Sequence, residues 1–539
     1  MKTKILLTTV LMGAALAAGA QNMYDAQKFS TAQYYGSART MGMGNAVTAV
    51  GGDIGSITFN PAGSSVAGYS QIALSPGISI SSNFATGSIL SEGAATADGF
   101  ADPNTTSHTR FSLPSFGAIL NVDTHRSSGL VNYSFGVAGT CTNNFLGEIY
   151  ASGVNSRTTY LGYLATQADG IPSADLNNGT RSYDSNPWLP VTAYQAGLIA
   201  TYKSPVTGEA YTDKYAGATE YIDEAENIQL AGDIDQRYGQ LSYGNKYDFV
   251  FNWSGNINNF LHIGLNLGMT SLDYKYDDYI REQAVKSADF PIEFDDGVIR
   301  YFDNARARYS YTASGAGIYA QFGVLARLPG GFRVGAMIQT PTVLSIKEKW
   351  SQDMSITYLG ENSISAESPQ GSFSYRLRTP WKFSAGLAWT MSEWLLLSAD
   401  YEMMNFKSMR FRSAYSYNDD FSDPNWDIQQ WMGVSHNLRL GAEFKPIPKL
   451  AIRAGYNFIS NPEKNENGKY IFNPRQNVSA GVGYSSDGSF FVDLALRMHS
   501  RGKQFVTPYG DYIDGVFSPE ITVTRNILWD AVATVGWRF

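Results

Sequence analysis

The chain has 539 residues with 40 basic and 48 acidic side chains, and a net charge of −8 excludes the basic surface that nucleic-acid binding needs. Its lone cysteine, Cys141, excludes an internal disulfide framework. With 34 tyrosines, 29 phenylalanines, 10 tryptophans and 53 glycines against 16% charged residues, the composition suits strands and turns rather than a helical bundle.

Lys2 and Lys4 precede an apolar run from Ile5 to Leu16, and Ala18-Gly19-Ala20 offers the small residues of a cleavage site. Residues 1–20 therefore read as a signal peptide, with the mature chain beginning at Gln21 and the protein exported. No cysteine follows that site to carry a lipid. Without the two leader lysines the mature chain has 38 basic against 48 acidic residues, a net −10. The apolar run is too short to cross a bilayer, and no later stretch approaches the ~20 apolar residues of a spanning helix.

Gly36–Gly63 is nearly all small residues. Ser37 can cap a short helix running through Val50, Gly51-Gly52 would end it, and Asp53 can cap a second turn that Pro61 limits. A peptide with so little apolar surface cannot offset its own ordering entropy, but its glycines and alanines suit close approach to a surrounding wall. The segment reads as a plug. A dinucleotide loop at Gly42-Met-Gly44 fails, because Val47 stands where a third glycine belongs and no strand precedes the run. A flexible secreted leader is the other alternative.

Beyond it the period is two. Ile527, Trp529, Ala531, Ala533, Val535, Trp537 and Phe539 fall on one face of the last segment, opposite Asp530, Thr534, Gly536 and Arg538. The same alternation runs through Leu261–Thr270, Asn437–Phe444 and Leu450–Phe458. A soluble sandwich also alternates, so three further features decide. The segments are about ten residues or longer, against ~5–6 in globular sheets. Trp389 and Trp394 flank the tight Met391–Glu393 turn, as an interfacial aromatic girdle does.

Third, turns alternate short and long. The short ones lie near 123–128, 256–259, 329–331, 391–393, 446–448 and 486–488. The long excursions are 83–107, 141–243, 277–307, 350–370, 413–433, 460–474 and 501–525. That sorting belongs to an outer-membrane barrel with periplasmic turns and extracellular loops. Val191–Tyr202 would make a fifteenth strand. Single-chain bacterial barrels close with even counts and Val191, Tyr194, Leu198 and Tyr202 fit helical spacing, so it reads as a helix within the longest loop, leaving about fourteen strands. A barrel of that size has a lumen too wide for side chains alone to fill. The expected fold is all-β: a transmembrane antiparallel β-barrel (69–539) around an N-terminal hatch (21–68) with short helices.

The run Gly36-Ser-Ala-Arg-Thr-Met-Gly-Met-Gly-Asn-Ala, with Asp53, the Asn60-Pro61-Ala62 triplet and a barrel ending in Phe539, resembles the FadL/TodX family of outer-membrane transporters for long-chain fatty acids and hydrocarbons. The layout is similar across the mature chain, but the specific motif covers only the hatch, where Gly42, Gly44, Asp53, Asn60, Pro61 and Ala62 carry it. The resemblance implies a hatch inside a fourteen-stranded barrel, capture of a hydrophobic ligand among the outer loops, and sideways release through the wall into the bilayer. It also implies that Trp537 and Phe539 form the signal read by the outer-membrane assembly machinery. The long loop 141–243 departs from the ligand-capturing loops of the best-known members, so no binding residue is transferred.

An apolar path suits a solute that crosses a lipopolysaccharide leaflet poorly. In the long loop, Tyr160, Leu161, Leu164, Trp188, Leu198 and Ile199, with Tyr150, Tyr163 and Leu189, can form a ligand groove or pack the loop against itself. Lumen-facing Arg439, Arg453 and Arg497 can pair with Glu443 and Asp493 across strands or hold a fatty-acid carboxylate; pairing is favoured. His108, His125, His262, His436 and His499 show no His-x-x-x-His spacing, no Gly-x-Ser-x-Gly occurs, and Asp277-Asp278, Asp295-Asp296 and Asp419-Asp420 with Asp423 lack calcium-loop spacing. No catalytic residue, metal or cofactor is expected. Passive transport of hydrophobic molecules leads; a general diffusion porin and a barrel that docks an exported protein are the alternatives.

Overall fold

In the computed structural model, the residues described are 21–539 except 89–98, 295–296, 416–419, 487–488 and 514. The signal-peptide expectation and Asp295, Asp296 and Asp419 lie outside them. The chain forms a closed, transmembrane antiparallel barrel of fourteen strands. They are β1 (Gln71–Ser88), β2 (Asn104–Asp123), β3 (Leu130–Asn144, continued as Gly147–Asn155), β4 (Ile234–Ile257), β5 (Leu261–Ala284), β6 (Ile299–Arg327) and β7 (Phe332–Gln339, continued as Val343–Tyr358). Then follow β8 (Gly371–Arg378, continued as Lys382–Ser392), β9 (Leu395–Asn405), β10 (Val434–Ile447), β11 (Leu450–Ile459), β12 (Arg475–Ser486), β13 (Phe490–Ser500) and β14 (Glu520–Arg538). Closure is made by β1 against β14, from Gln71↔Arg538 to Ser88↔Glu520.

The alternation read from sequence sets the two faces. In β5, Leu265, Leu267 and Met269 are exposed while Asn266 and Thr270 are buried; in β14, Trp529 and Trp537 are exposed while Asp530 and Thr534 are buried. Apolar residues outside and polar ones inside are what a bilayer around a filled bore requires. At the short-turn end Trp389 stacks on Phe332 (5.5 Å, 5°) and Trp394 meets Phe444 edge-on at 5.9 Å.

Strands reach farther on the long-loop side than the sequence reading allowed. β4 and β5 have 24 residues each and β6 has 29, well beyond the ~9–11 a tilted strand needs to cross. The irregular part of the longest excursion is therefore 156–233 rather than 141–243. It holds α3 (Tyr160–Ala168), capped by Thr159 accepting from the Gly162 amide, and a helix over Trp188–Gln195. The expected helix over Val191–Tyr202 is only partly correct. Gly197, with φ of +76°, ends the helical stretch, and Ile199–Lys203 is a short strand paired with Ala210–Gly217.

The N-terminal segment holds α1 (Met23–Ser30), α2 (Ala38–Gly42) and two 3-10 turns, Ile54–Thr58 and Pro61–Val66. Ser37 caps α2, but the helix stops at Gly42 rather than Val50, because Gly44 and Asn45 both take positive φ. Asp53 precedes the next turn without capping it; its Oδ2 accepts from Ser37 Oγ at 2.5 Å. Asn60 caps the last turn through the Ala62 amide.

Candidate functional site

Residues 22–67 are bonded to the inner wall along their length. Gly44 lies so close to the wall that a Cβ on Gly455 would fall 2.0 Å from its nitrogen, and Gly42 packs on Gly481. Only paired glycines permit that approach. Inward polar side chains satisfy the segment's backbone: Thr534 Oγ1 accepts from Ala38 N (2.7 Å), Asp400 from Thr48 N (2.8 Å), and Asn252 donates to Pro61 O (2.9 Å). Lys246 Nζ donates to the carbonyls of Phe29 and Thr31 at 2.9 and 2.7 Å. Asn60 donates to Val324 O at 3.0 Å, and Pro61 and Ala62 press on Gly264. Each contact meets the rule that a buried peptide group must find a partner.

The three lumen arginines are paired. Arg453 bridges Glu443 (2.7 Å) and Asp493 (2.5 Å), Arg497 meets Asp530 (2.8 Å), and Arg439 binds Glu402 with Asp400 at 4.0 Å. Arg39 of the N-terminal segment joins from inside, its Nε 3.1 Å from Glu443. Arg497 also donates to Tyr34 O at 2.7 Å. Lys246, Asp400 and Glu402 went unassigned in sequence. Their signal was a charge at alternate positions of otherwise apolar strands, as in Asp400 and Glu402.

The wall has one prominent discontinuity. β2 and β3 are laddered from Asp123↔Asn132 up to Ser115↔Thr140 and no farther. Above that point the ladder of β2 is with β1 and that of the β3 continuation is with β4, apart from an isolated Asp102↔Ser152 bridge near the outer end. β3 bends into the bore instead: Cys141–Leu146 are all buried, and the Thr142 and Cys141 carbonyls accept from the amides of Gln33 (2.6 Å) and Tyr35 (3.1 Å). The gap is crossed at its outer end by Thr106 Oγ1 to Glu148 O (2.6 Å). Over its middle, Tyr247 of β4 reaches across to donate to Leu113 O of β2 at 3.1 Å.

Behind Tyr247 lies an apolar cluster drawn from three sources. Tyr35, Ala38 and Met41 come from the N-terminal segment, Cys141 and Leu146 from the bent strand, and Ala495, Leu528 and Val532 from β13 and β14 on the far side of β1, with Tyr243 and Tyr247 packed against it. The break begins eight residues above Asp123, which at ~3.4 Å per residue and ~40° tilt is about 20 Å up, within an apolar belt ~25 Å tall.

The loop residues proposed as a groove are brought together, but as a closed core. Tyr160, Leu161, Leu164, Leu198 and Ile199 are buried in one cluster with Tyr163, Leu189, Ile280, Phe302 and Ile356. Trp188 lies at its edge, 5.9 Å from Trp350. Tyr150 is half-buried in the β3 continuation. The N-terminus of α3 is held by Glu282, which accepts from Tyr160 N (2.7 Å) and Leu161 N (3.3 Å), as the helix dipole favours. Glu220 accepts from Gly217 N at 3.1 Å beside the Tyr512 hydroxyl; burial pushes its carboxyl up to about 7, and its charged neighbours Glu282 and Asp169 are acidic.

His262 and His499 face inward, against Ser65 (2.9 Å) and Asn477. Among the described residues no three His, Cys, Asp or Glu side chains converge as metal ligands would. At the C-terminus, Phe539 exchanges backbone hydrogen bonds with Ser70 at 3.0 Å while its ring is exposed, and Trp537 tilts over Phe490 at 5.2 Å.

No protein-family model matches the chain, and no curated protein does. Solved structures similar to it include the toluene transporter TodX of P. putida (12% identity, 95% of this chain and 99% of that one, TM-score 0.47). A FadL homologue of Pseudomonas aeruginosa is similar at 10% identity over 94% of this chain and 98% of its own, with TM-score 0.48. The CymD monoaromatic hydrocarbon channel is similar at 11% identity over 93% and 97%, with TM-score 0.44.

Proposed function

We propose that the chain is an outer-membrane protein that passively transports hydrophobic small molecules, long-chain fatty acids or aromatic hydrocarbons, and releases them sideways into the bilayer between β2 and β3. The observation that carries this reading is the break in the β2–β3 ladder, backed by an apolar cluster and barred by Tyr247. An apolar solute gains by staying in apolar surroundings, and a lateral exit spares it the ion-paired bore below. In this reading residues 1–20 are cleaved, residues 21–68 are the hatch, and Trp537 and Phe539 guide assembly. Arg439, Arg453 and Arg497 then hold the hatch rather than a ligand. The loop residues Tyr160, Leu161, Leu164, Trp188, Leu198 and Ile199 become the first contact once the loop loosens.

The test spans the gap. In a Cys141→Ser background, Leu113→Cys and Tyr247→Cys are joined by a short thiol cross-linker and uptake of labelled oleate or toluene is measured in cells. Uptake falling at least tenfold when joined, and returning when a cleavable linker is cut, supports lateral release. Unchanged uptake overturns it. Liposome swelling with small sugars would mark a diffusion porin, and a purified barrel that carries a polypeptide and no lipid would mark a docking scaffold.

A further inference from the structure

The lipid-facing wall from β6 to β9 carries a groove of about 450 Å³. Two register rows build it. Val324, Ala336, Ala385 and Tyr401 lie side by side across the four strands, and Phe322, Ile338, Phe383 and Met403 form the row above. The two alanines leave a trough beneath a bulky shelf. Ala336 stands four residues above Phe332, about 10 Å up the wall, so the trough lies inside the apolar belt, at the depth of acyl chains.

A polar pair stands at one end. Tyr401 and His436 both project outward, their rings 5.9 Å apart at 28°, with the Tyr401 hydroxyl 2.6 Å from His436 Nδ1. An ionisable ring on a lipid-facing surface is costly and marks a site by default. With the hydroxyl donating to Nδ1, Nε2 carries the proton, faces away from Tyr401, and meets no acceptor among the described residues. His436 is eight residues above Phe444, about 20 Å from the short turns and so level with the outer leaflet.

We propose that this face is a lipid-binding site. One acyl chain of lipid A occupies the trough, and its ester carbonyl accepts from His436 Nε2–H. The proposal rests on the barrel residing in an outer membrane, not on what the barrel transports.

The test is native mass spectrometry of the full-length barrel extracted from a Gram-negative outer membrane in mild detergent. The wild type retains one lipid A per barrel. Ala336→Phe with Ala385→Phe fills the trough and lowers the retained fraction at least tenfold, while the folded barrel keeps its heat-modifiable migration. His436→Leu lowers retention several-fold, and His436→Gln, which still donates, restores part of it. Equal retention by the filled variant, or a wild type that retains phospholipid or no lipid, overturns the proposal. Uptake measured in parallel separates its failure from that of the transport reading.

Discussion

The lower and upper halves of the bore are filled by opposite chemistry. Below, the N-terminal segment is pinned by charge: Arg39, Glu443, Arg453 and Asp493 form one chain of ion pairs, and wall side chains bond its backbone directly. Above, the long loop packs an apolar cluster in which the carboxyls of Glu220 and Glu282 make no ion pair among the described residues. Directional charge fixes one arrangement, whereas apolar packing around unpaired acids leaves an assembly that can loosen. The difference predicts a lower half that holds its arrangement and an upper half that loosens first.

Arg453→Met offers the hardest blow to that contrast. It strips Asp493 of its paired cation and Glu443 of one of three, leaving Arg39 and Lys445, and breaking such a buried pair costs about 3–5 kcal/mol. An unfolding free energy from urea titration in detergent that moves by less than ~1 kcal/mol would show that charge does not hold the lower half. Leu164→Ala removes a fully buried side chain from the loop cluster, for about 2–4 kcal/mol. That loss belongs to the loop alone: proteolysis within 156–233 accelerates roughly 30-fold or more while barrel melting holds. A barrel that melts with it would erase the boundary between the halves.

Gly455→Val brings side-chain atoms onto Gly44, an overpacking of about 1–3 kcal/mol that shifts the segment from the wall. Small-ion conductance steps in planar bilayers, absent from the wild type, are the expected sign. The smallest effect is on pH. Because the Glu220 carboxyl is raised from 4.5 to about 7, the folded loop favours its neutral form. Loop docking is therefore tightest below pH 4.5 and weakens as pH rises through 7. Amide exchange in 156–233 is slower at pH 5 than at pH 8 after correction for intrinsic rates, and Glu220→Gln flattens the difference.

Strand count, facing and turn sorting were legible because a two-residue period in a membrane wall has few solutions: Leu265 outside and Asn266 inside follow from alternation alone. Arg453 meets Glu443 and Asp493 because like positions on neighbouring inward faces meet, whereas Arg439 and Arg497 take Glu402 and Asp530, partners the sequence reading did not name. What stayed hidden depends on contacts between distant parts of the chain. Nothing near Gly44 announces Gly455, and nothing in Cys141-Thr-Asn-Asn144 says that β3 leaves its neighbour there. Asp53 looked like a cap because its position is right; Ser37, sixteen residues earlier, claims its oxygen instead.

The bonds from Gln33 and Tyr35 to β3 give the barrel a reciprocal dependence. Strand three parts from strand two where two amides from the amino-terminal tail meet its carbonyls, and Arg501 holds the carbonyls of Asn144 and Leu146 beyond them. A chain shorn of residues 21–68 would let that edge zip shut, exchanging a filled cylinder with a broken wall for a hollow one with an unbroken wall.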